Sequence, residues 1–479
     1  MFGSTPGSLF TPSVSSTALV ALPGGAAGAR PAGRGRDPRA LVARMLGVFA
    51  SVRASEVVAL LMLTANVMML LGSYYLLKTA REPLILQGGA AVKTYASGAQ
   101  ALLLIPVAHL FGVLAGRMSR LRLMGAVTGF FVSNLLVFWV LQHVGAPIGV
   151  PFYIWVGVFN MAVIAQFWTY VSDIYSVEQG RRLLAMIGVG AALGGLVGAR
   201  LAKRVYAVVG VGGLFLIAAA VLLLSLGVTA LADRRLRGPR LVTASAEAPA
   251  GAPQPQGKSG LQLLLGDRYL QLIAALVILL NLVNTTGEFI MDRSLVAQAQ
   301  AQSAVPVGVF IASFKADFFS WVNGVGLVLQ LLVVSRVMKY LGVGAGLYIL
   351  PLVALGGYGT LAIAPALSVV FLTKVAENGL DYSLQSTLRQ ALYLPTSRAA
   401  KYRAKPLIDT FLVRSGDVLA SVVVLVGQAL AFTTGTFALV NAGLTLVWLV
   451  VAHRIAARHA GLTASAARPA PGTRLALAA

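Results

Sequence analysis

The segment ADRRLRGPRLVTASAEAPAGAPQPQGKSG, residues 232–260, decides how the chain is divided. It is polar, basic and rich in Pro and Gly, within a 479-residue chain that is 58% hydrophobic and only 11% charged. A soluble domain carries about 25% charged residues, so this composition predicts a polytopic membrane protein. Apolar runs long enough to span a bilayer lie on both sides of the segment, six before it and six after it: 56–77, 96–116, 123–142, 151–172, 183–206, 210–231, 269–291, 314–335, 343–363, 365–388, 407–430 and 433–453. The sequence therefore predicts an all-α membrane protein with twelve transmembrane helices in two six-helix halves.

The same pattern divides the chain into six regions. They are a disordered N-terminal region at 1–37, a cytoplasmic amphipathic helix at 38–55, a first six-helix half at 56–231, a basic, Pro-rich linker at 232–266, a second half at 267–455 and a cytoplasmic tail at 456–479. The first region is expected to be disordered because Gly, Ala, Pro and Ser dominate it.

The net charge of +23 follows the predicted topology. With the N-terminus in the cytoplasm, most of the 38 Lys and Arg residues fall in the cytoplasmic loops, the linker and the termini, as the positive-inside rule requires. The basicity therefore does not indicate a nucleic-acid partner. It predicts a multi-pass protein of the bacterial inner (plasma) membrane, in contact with the lipid bilayer and with both termini cytoplasmic.

The two halves resemble each other and a known layout. Asn66 and Lys78 of the first span align with Asn281 and Arg293 of the seventh, although such matches are few. Two six-helix halves around a basic cytoplasmic linker are typical of major-facilitator transporters, whose substrate site lies near the midplane between the halves. The loop GVLAGRMSRLRL, residues 112–123, also resembles their Gly-x-Leu-Ala-Asp-Arg loop, with glycine at the acidic position.

Nothing in the sequence predicts an enzyme, a cofactor or a metal site. There is no cysteine, and the four histidines are scattered without a second ligand at metal-binding spacing. No Ser/His/Asp set lies in a loop that faces the membrane. The glycine-rich stretch GVGAALGGLVG, residues 188–198, lies inside a helix rather than at a strand-to-helix turn, so it predicts close helix packing and not a phosphate loop.

Charged residues inside the spans are the candidate site, because a charge at mid-bilayer costs about 2.5–3.5 kcal/mol unless it meets a partner or water. Lys78, Arg81 and Glu82 lie at the outer end of the first span. These side chains either reach into the headgroups or contact an anion at the mouth of a cavity.

The seventh span carries an acidic pair toward its outer end. Glu288 and Asp292 lie four residues apart and Arg293 follows them, while Asn281, Asn284 and Thr285 fall near mid-span. The pair either binds a proton or a cation, or forms an ion-pair gate with Lys78 or Arg81; the gate is slightly favoured.

The tenth and eleventh spans bring charge to mid-membrane depth. In VVFLTKVAENGLDYSLQSTLR, residues 369–389, the spacing of Lys374, Glu377 and Asp381 places them on one helical face. In the next span Arg414 and Asp417 are neighbours at i, i+3. These charges either pair internally and stabilise packing, or line a wet cavity.

These residues, and Asp173 at the cytoplasmic end of the fourth span, are assigned two roles. Substrate contact is predicted for Lys78, Arg81, Asp173, Lys374, Glu377 and Arg414, and coupling or gating for Glu288, Asp292, Arg293, Asp381 and Asp417.

Three stretches carry a family resemblance. They are YYLLKTAREPLIL (74–86), FWTYVSDIYSVEQGRRLLAMIGVGAALGGLVG (167–198) and ENGLDYSLQSTLRQALYLPTSRAAKYRAKPLIDTFLVRSGD (377–417). They resemble the bacterial and plastid nucleotide translocase family, the ATP:ADP antiporter-type branch related to major-facilitator transporters. The resemblance implies twelve helices and nucleotide exchange served by charged residues in the first, fourth, tenth and eleventh spans, where Lys78, Asp173, Glu377 and Arg414 fall.

The leading prediction is a secondary transporter of a small anionic solute, possibly a nucleotide, that works by alternating access. The candidate cations and anions are nearly equal in number, which suits a highly charged nucleoside triphosphate poorly. Two alternatives stay open: proton-coupled transport of another metabolite, and flipping of a lipid-linked substrate.

Overall fold

The structure, a computed structural model, describes residues 53, 55–118, 120–175, 177–236, 259–397 and 399–467. The predicted region 1–37, most of 38–55, most of the linker and the end of the tail lie outside these residues. All regular secondary structure in the described part is helical: α1 Val57–Leu86, α2 Ala90–Arg117, α3 Arg120–His143, α4 Gly149–Ile174, α5 Val177–Leu236, α6 Gly260–Gly266, α7 Arg268–Ala301, α8 Val307–Leu332, α9 Val334–Tyr340, α10 Gly342–Gly346, α11 Ile349–Ile363, α12 Leu367–Leu380, α13 Ser386–Leu392, α14 Lys405–Leu407, α15 Val413–Ala429 and α16 Thr434–Ala467, with π-helical turns at Asp381–Gln385, Ala400–Ala404 and Ile408–Leu412.

Twelve membrane spans follow from these helices. Within the described residues, nine helices are long and apolar enough to cross a membrane, and α8 with α9 forms a further candidate bent by 42°. α5 is two spans, because its 49-residue apolar part is too long for one crossing and breaks at Gly210, whose φ of 62° favours glycine. The twelfth is the continuous helical stretch 367–392, whose charged residues lower its hydropathy. The predicted all-α, twelve-span fold is confirmed.

Two predicted boundaries differ from the helix ends. The last part of the predicted linker forms α6, which begins with a capping box because the Ser259 hydroxyl accepts from the Gln262 backbone and the Gln262 side chain accepts from the Ser259 backbone. α16 continues to Ala467, past the boundary placed at residue 455. Hydropathy falls where a helix leaves the bilayer, although the helix itself continues.

The glycines of α5 bring it against α1, as the small-residue stretch predicts. A Cβ on Gly194 would collide with the backbone of Met68, and one on Gly198 with the backbone of Gly72. In the second half α15 approaches α7 in the same way, since a Cβ on Gly416 would lie 2.9 Å from the carbonyl oxygen of Ile278. Each half therefore packs its fifth span tightly on its first.

The two halves meet at one end of the molecule and separate at the other. We call the end that holds the start of α1, the end of α5 and α6 the linker end, and the opposite end the far end. At the far end a small apolar cluster joins both halves: Ile85, Leu86, Ala96, Tyr153, Leu295, Ala299 and Ile311. Toward the linker end α1 and α5 stand away from α8, and a cavity of about 690 Å³ opens between them.

Candidate functional site between the halves

Four buried charges form a ring across the junction of the halves, on the inner side of the apolar cluster. The first half contributes Glu82 of α1 and Lys93 of α2, and the second half contributes Asp292 of α7 and Lys315 of α8. Their side chains are between 0 and 5% exposed. We call these four residues the charge ring.

Each lysine of the charge ring contacts both acids. Lys93 Nζ lies 2.7 Å from Glu82 and 2.8 Å from Asp292. Lys315 Nζ lies 3.5 Å from Glu82 and also pairs closely with Asp292. The ring therefore contains one ion pair within each half and two ion pairs between the halves. It is neutral, which burial at this depth requires.

Arg81 and Glu288 flank the ring. Arg81 donates to Glu82 at 2.9 and 3.2 Å and stacks on the Tyr153 ring, 4.2 Å from its centre. Glu288 lies 3.8 Å from Lys93 and keeps 31% of its side chain exposed. The contact of Arg81 is thus with the neighbouring carboxylate rather than with headgroups.

The partners of the acidic pair differ from the expected ones. Asp292 and Glu288 lie against Lys93 and Lys315, not against Lys78 or Arg81. Sequence reasoning missed both lysines, because Lys93 lies near a helix start, where a lysine is ordinary. The signal for Lys315 was present, since it is a lysine within the apolar run VFIASFKADFF, residues 309–319.

Lys374 and Glu377 form a network within the second half. Lys374 Nζ binds Glu377 at 2.9 Å and the Asn284 side chain at 2.6 Å, while the Tyr358 hydroxyl donates to Glu377 at 2.8 Å. Lys374 and Tyr358 have no exposed surface and Glu377 has 2%. Both charges are therefore satisfied by α7, α11 and α12 themselves.

A polar cavity of about 180 Å³ lies between α2, α7 and α15 on the inner side of the ring. Its walls include Ser97, Glu288, Arg414 and Asp417, together with the ring members Lys93 and Asp292. Arg414 pairs with Asp417 at 3.3 Å, and Thr285 donates to the same carboxylate at 2.7 Å. The Arg414 side chain is 37% exposed, so it can still contact a solute in the cavity.

Lys78 differs from the other interior lysines. It makes no ion pair with any described residue, whereas Lys93, Lys315 and Lys374 all do. Its Nζ lies 4.4 Å from the centre of the Phe319 ring, with the Tyr74 and Tyr75 rings at 5.8 and 5.4 Å. Phe319 belongs to the second half, so Lys78 is a cation placed between the halves and held by aromatic faces.

The remaining predicted residues lie apart from this centre. Arg293 donates to the Phe432 carbonyl at 2.7 Å and thereby fixes the α15–α16 connection. Asp381 faces Arg389 at 3.7 Å at the start of a π-helical turn. The side chain of Asp173 lies outside the described part of the structure. No group of three or more His, Asp or Glu within the described residues could hold a metal ion.

The sequence matches no protein-family model and no curated protein. Solved structures match the fold. A POT family transporter in complex with 5-aminolevulinic acid has a TM-score of 0.58 at 14% identity, over 83% of this chain and 96% of that one. The nucleoside transporter NupG has a TM-score of 0.58 at 13% identity, over 83% and 98%. The chain has the major-facilitator fold.

A third solved structure also matches the fold. A bacterial homolog to the human lysosomal transporter Spinster, in an inward-facing and unoccupied conformation, has a TM-score of 0.51 at 13% identity, over 86% of this chain and 98% of that one. At such identities the likeness shows the major-facilitator fold and gives no information about the substrate. It does not confirm the narrower resemblance to nucleotide translocases.

Proposed function

We propose that the protein is a secondary transporter that moves a small organic anion by alternating access. The observation that carries the proposal is the difference between the two ends of the molecule. The charge ring joins the halves toward the far end, whereas a cavity separates them at the linker end. Rocking of two halves about a central site is how this fold transports solutes.

The arrangement of the ring supports such a movement. If the far end opened, the contacts of Lys93 with Asp292 and of Lys315 with Glu82 would break. Lys93 would keep Glu82 in the first half, and Lys315 would keep Asp292 in the second half. Two neutral pairs would replace one neutral ring, so no buried charge would lose its last partner, which is the costly event in a membrane protein.

Lys78 is the proposed anion contact. It lies between the halves and forms no ion pair with a described residue, so an acidic group of a solute can bind it in place of part of its aromatic surroundings. The interior lysines Lys93, Lys315 and Lys374 each pair with a neighbouring acid. Among these four lysines, a single cation open to the solute suits a solute of low charge better than a nucleoside triphosphate.

One experiment tests both this proposal and the nucleotide exchange that the resemblance implies. The protein is reconstituted into liposomes loaded with ADP, and uptake of labelled ATP is compared with counterflow of labelled mono- and dicarboxylates. We expect counterflow of an anion of low charge and none in protein-free liposomes. ATP uptake that depends on internal ADP would establish nucleotide exchange; no flux of any anion would overturn the transporter proposal.

The second candidate function is a proton-coupled form, in which Glu288 would take up the proton. Its carboxylate faces the polar cavity, and its one ion pair among the described residues is the long contact with Lys93. We expect Glu288→Gln to keep exchange at equal pH but to lose accumulation driven by a pH gradient. Asp317→Asn is the control, since Asp317 pairs with Lys203 on an exposed surface. Gradient-driven uptake that survives Glu288→Gln would exclude this role.

A further inference from the structure

A large cavity between the halves has mostly apolar walls. It occupies about 690 Å³ and is lined by Leu60 of α1, Met186 and Val189 of α5, and Val322 and Leu327 of α8, among others. None of the described residues that line it is charged. Its volume lies within the range of sites that bind drug-sized molecules, about 300–1,000 Å³.

Lys78 lies near the inner end of this cavity. Asn323, which lines the cavity, is one helical turn from Phe319, whose ring contacts Lys78. Tyr75, also in contact with Lys78, lies beside Asn323, because a Cβ on Gly195 would contact both side chains. Tyr382 also lines the cavity. The mostly apolar cavity therefore ends close to the positive charge of Lys78.

The rim of the cavity includes exposed apolar side chains. Leu61 is 47% exposed and Leu331 is 45% exposed, and they belong to opposite halves. Between α5 and α8, nearer the far end, Lys203 and Asp317 pair at 2.5 Å across the halves. The walls that a solute meets on entry are thus apolar, and the charged contacts lie deeper or outside.

We propose that the transported solute is an amphipathic anion, with one acidic group that contacts Lys78 and an apolar body that fills this cavity. The proposal rests on the transport function proposed above and names its substrate class. A hydrophilic anion would leave the apolar walls wet, whereas an apolar body removes water from both surfaces. Such a solute has two sources: water, for an alkyl or aromatic acid, and the bilayer, for a single-chain lipid with an acidic headgroup.

The proposed contacts predict that the affinity for the solute increases with the length of its alkyl chain. Each methylene buried adds about 0.8 kcal/mol, which corresponds to an increase in affinity of about fourfold. The increase should stop when the cavity is full. Removal of the charge at Lys78 should weaken the binding of every member of the series without removing this length dependence.

The test uses the full chain in detergent and a series of alkyl carboxylates from hexanoate to dodecanoate, with the thermal unfolding midpoint as the readout. Gly188→Phe fills the cavity, because a Cβ on Gly188 meets nothing within 4 Å and the residue lines the wall. Gly129→Phe is the matched control, since Gly129 also has open space and lies on the exposed surface of α3. Ala192→Phe is a second cavity-filling variant in case Gly188→Phe does not fold.

We expect stabilisation that increases with chain length in the wild type and in Gly129→Phe and is lost in the cavity-filling variants. A parallel arm with lysophosphatidate in liposomes distinguishes a lipid source from a water-soluble one. Stabilisation that is independent of chain length, or equal in Gly188→Phe, would overturn the proposal. Counterflow of hydrophilic anions alone would overturn it as well, yet would leave the transporter function standing.

Discussion

Lys78 and Lys374 are both lysines inside apolar helices, but their surroundings give them different roles. Lys374 has a carboxylate at 2.9 Å and an amide oxygen at 2.6 Å, both from the second half. Lys78 has three aromatic rings and no ion pair with a described residue. A cation on aromatic faces keeps most of its charge available, so Lys78 is the better candidate for contact with a solute.

Replacement of Lys78 by Gln should weaken anion binding. A hydrogen bond to a charged group contributes about 1.5–3 kcal/mol, so we expect KM for counterflow to rise by roughly tenfold to a hundredfold. Lys339→Gln is the matched control, because Lys339 also lies over an aromatic ring, that of the exposed Tyr340. An unchanged KM in Lys78→Gln would show that the solute does not contact this lysine.

Replacement of Glu377 by Gln should destabilise the protein. It leaves the buried charge of Lys374 without its counter-ion, which costs about 3–5 kcal/mol, and the double variant Lys374→Met with Glu377→Leu should recover much of the loss. The thermal unfolding midpoint measures the loss of stability in the single variant and its recovery in the double variant. If Glu377→Gln unfolds like the wild type but stops counterflow, the direct role in transport predicted from the sequence is correct.

At the scale of helices, the contact between α1 and α5 depends on missing side chains. Gly194 and Gly198 lie one turn apart and face the backbone of α1 at Met68 and Gly72. Backbone atoms cannot rotate away as a side chain does, so the two helices approach this closely only where glycine stands. Close packing of this kind favours a first half that moves as one unit, as the proposed rocking requires.

Gly194→Ala should therefore destabilise the first half. An alanine in a helix gains up to about 1 kcal/mol over glycine, but overpacking costs about 1–3 kcal/mol, so we expect a net loss. Gly188→Ala serves as the control, because it lies on the same helix with open space around its Cβ and should be neutral or stabilising. Equal unfolding midpoints for the two variants would contradict the packing argument.

At the scale of the whole molecule, the charge ring links the two halves near the far end. Each lysine is shared by both acids, so loss of one lysine leaves the other to neutralise two carboxylates. The exposed pair of Lys203 with Asp317 also links the halves, but ion pairs at a surface contribute only about 0–1 kcal/mol. The balance between the closed and open far end should therefore depend on the ring.

Cysteine labelling can measure this balance, since the natural chain has no cysteine. We expect Thr64→Cys, in the apolar cavity, to react with an impermeant maleimide from the linker end only. Ser97→Cys, in the polar cavity, should be protected from the far end until Lys315→Met breaks the ring. Lys203→Met is the control and should leave that protection unchanged. Rapid labelling of Ser97→Cys from the far end in the intact ring would contradict the closed state.

The sequence by itself determined the class of protein, the number of spans and their division into halves. Those properties follow from local composition: the length of apolar runs, the linker between them and the cost of charge in a bilayer. It also located most of the interior charges, such as Lys78, Glu288 and Asp292, since each interrupts an apolar run.

Only the tertiary structure decided which charges meet. Glu82 pairs with Lys315 and Lys93 with Asp292, and no sequence periodicity links residues more than a hundred positions apart. The same holds for Lys78, whose isolation depends on Phe319 from the other half. Pairing in a membrane protein is a property of helix packing, because each charge is neutralised by whatever partner the neighbouring helices present at its depth.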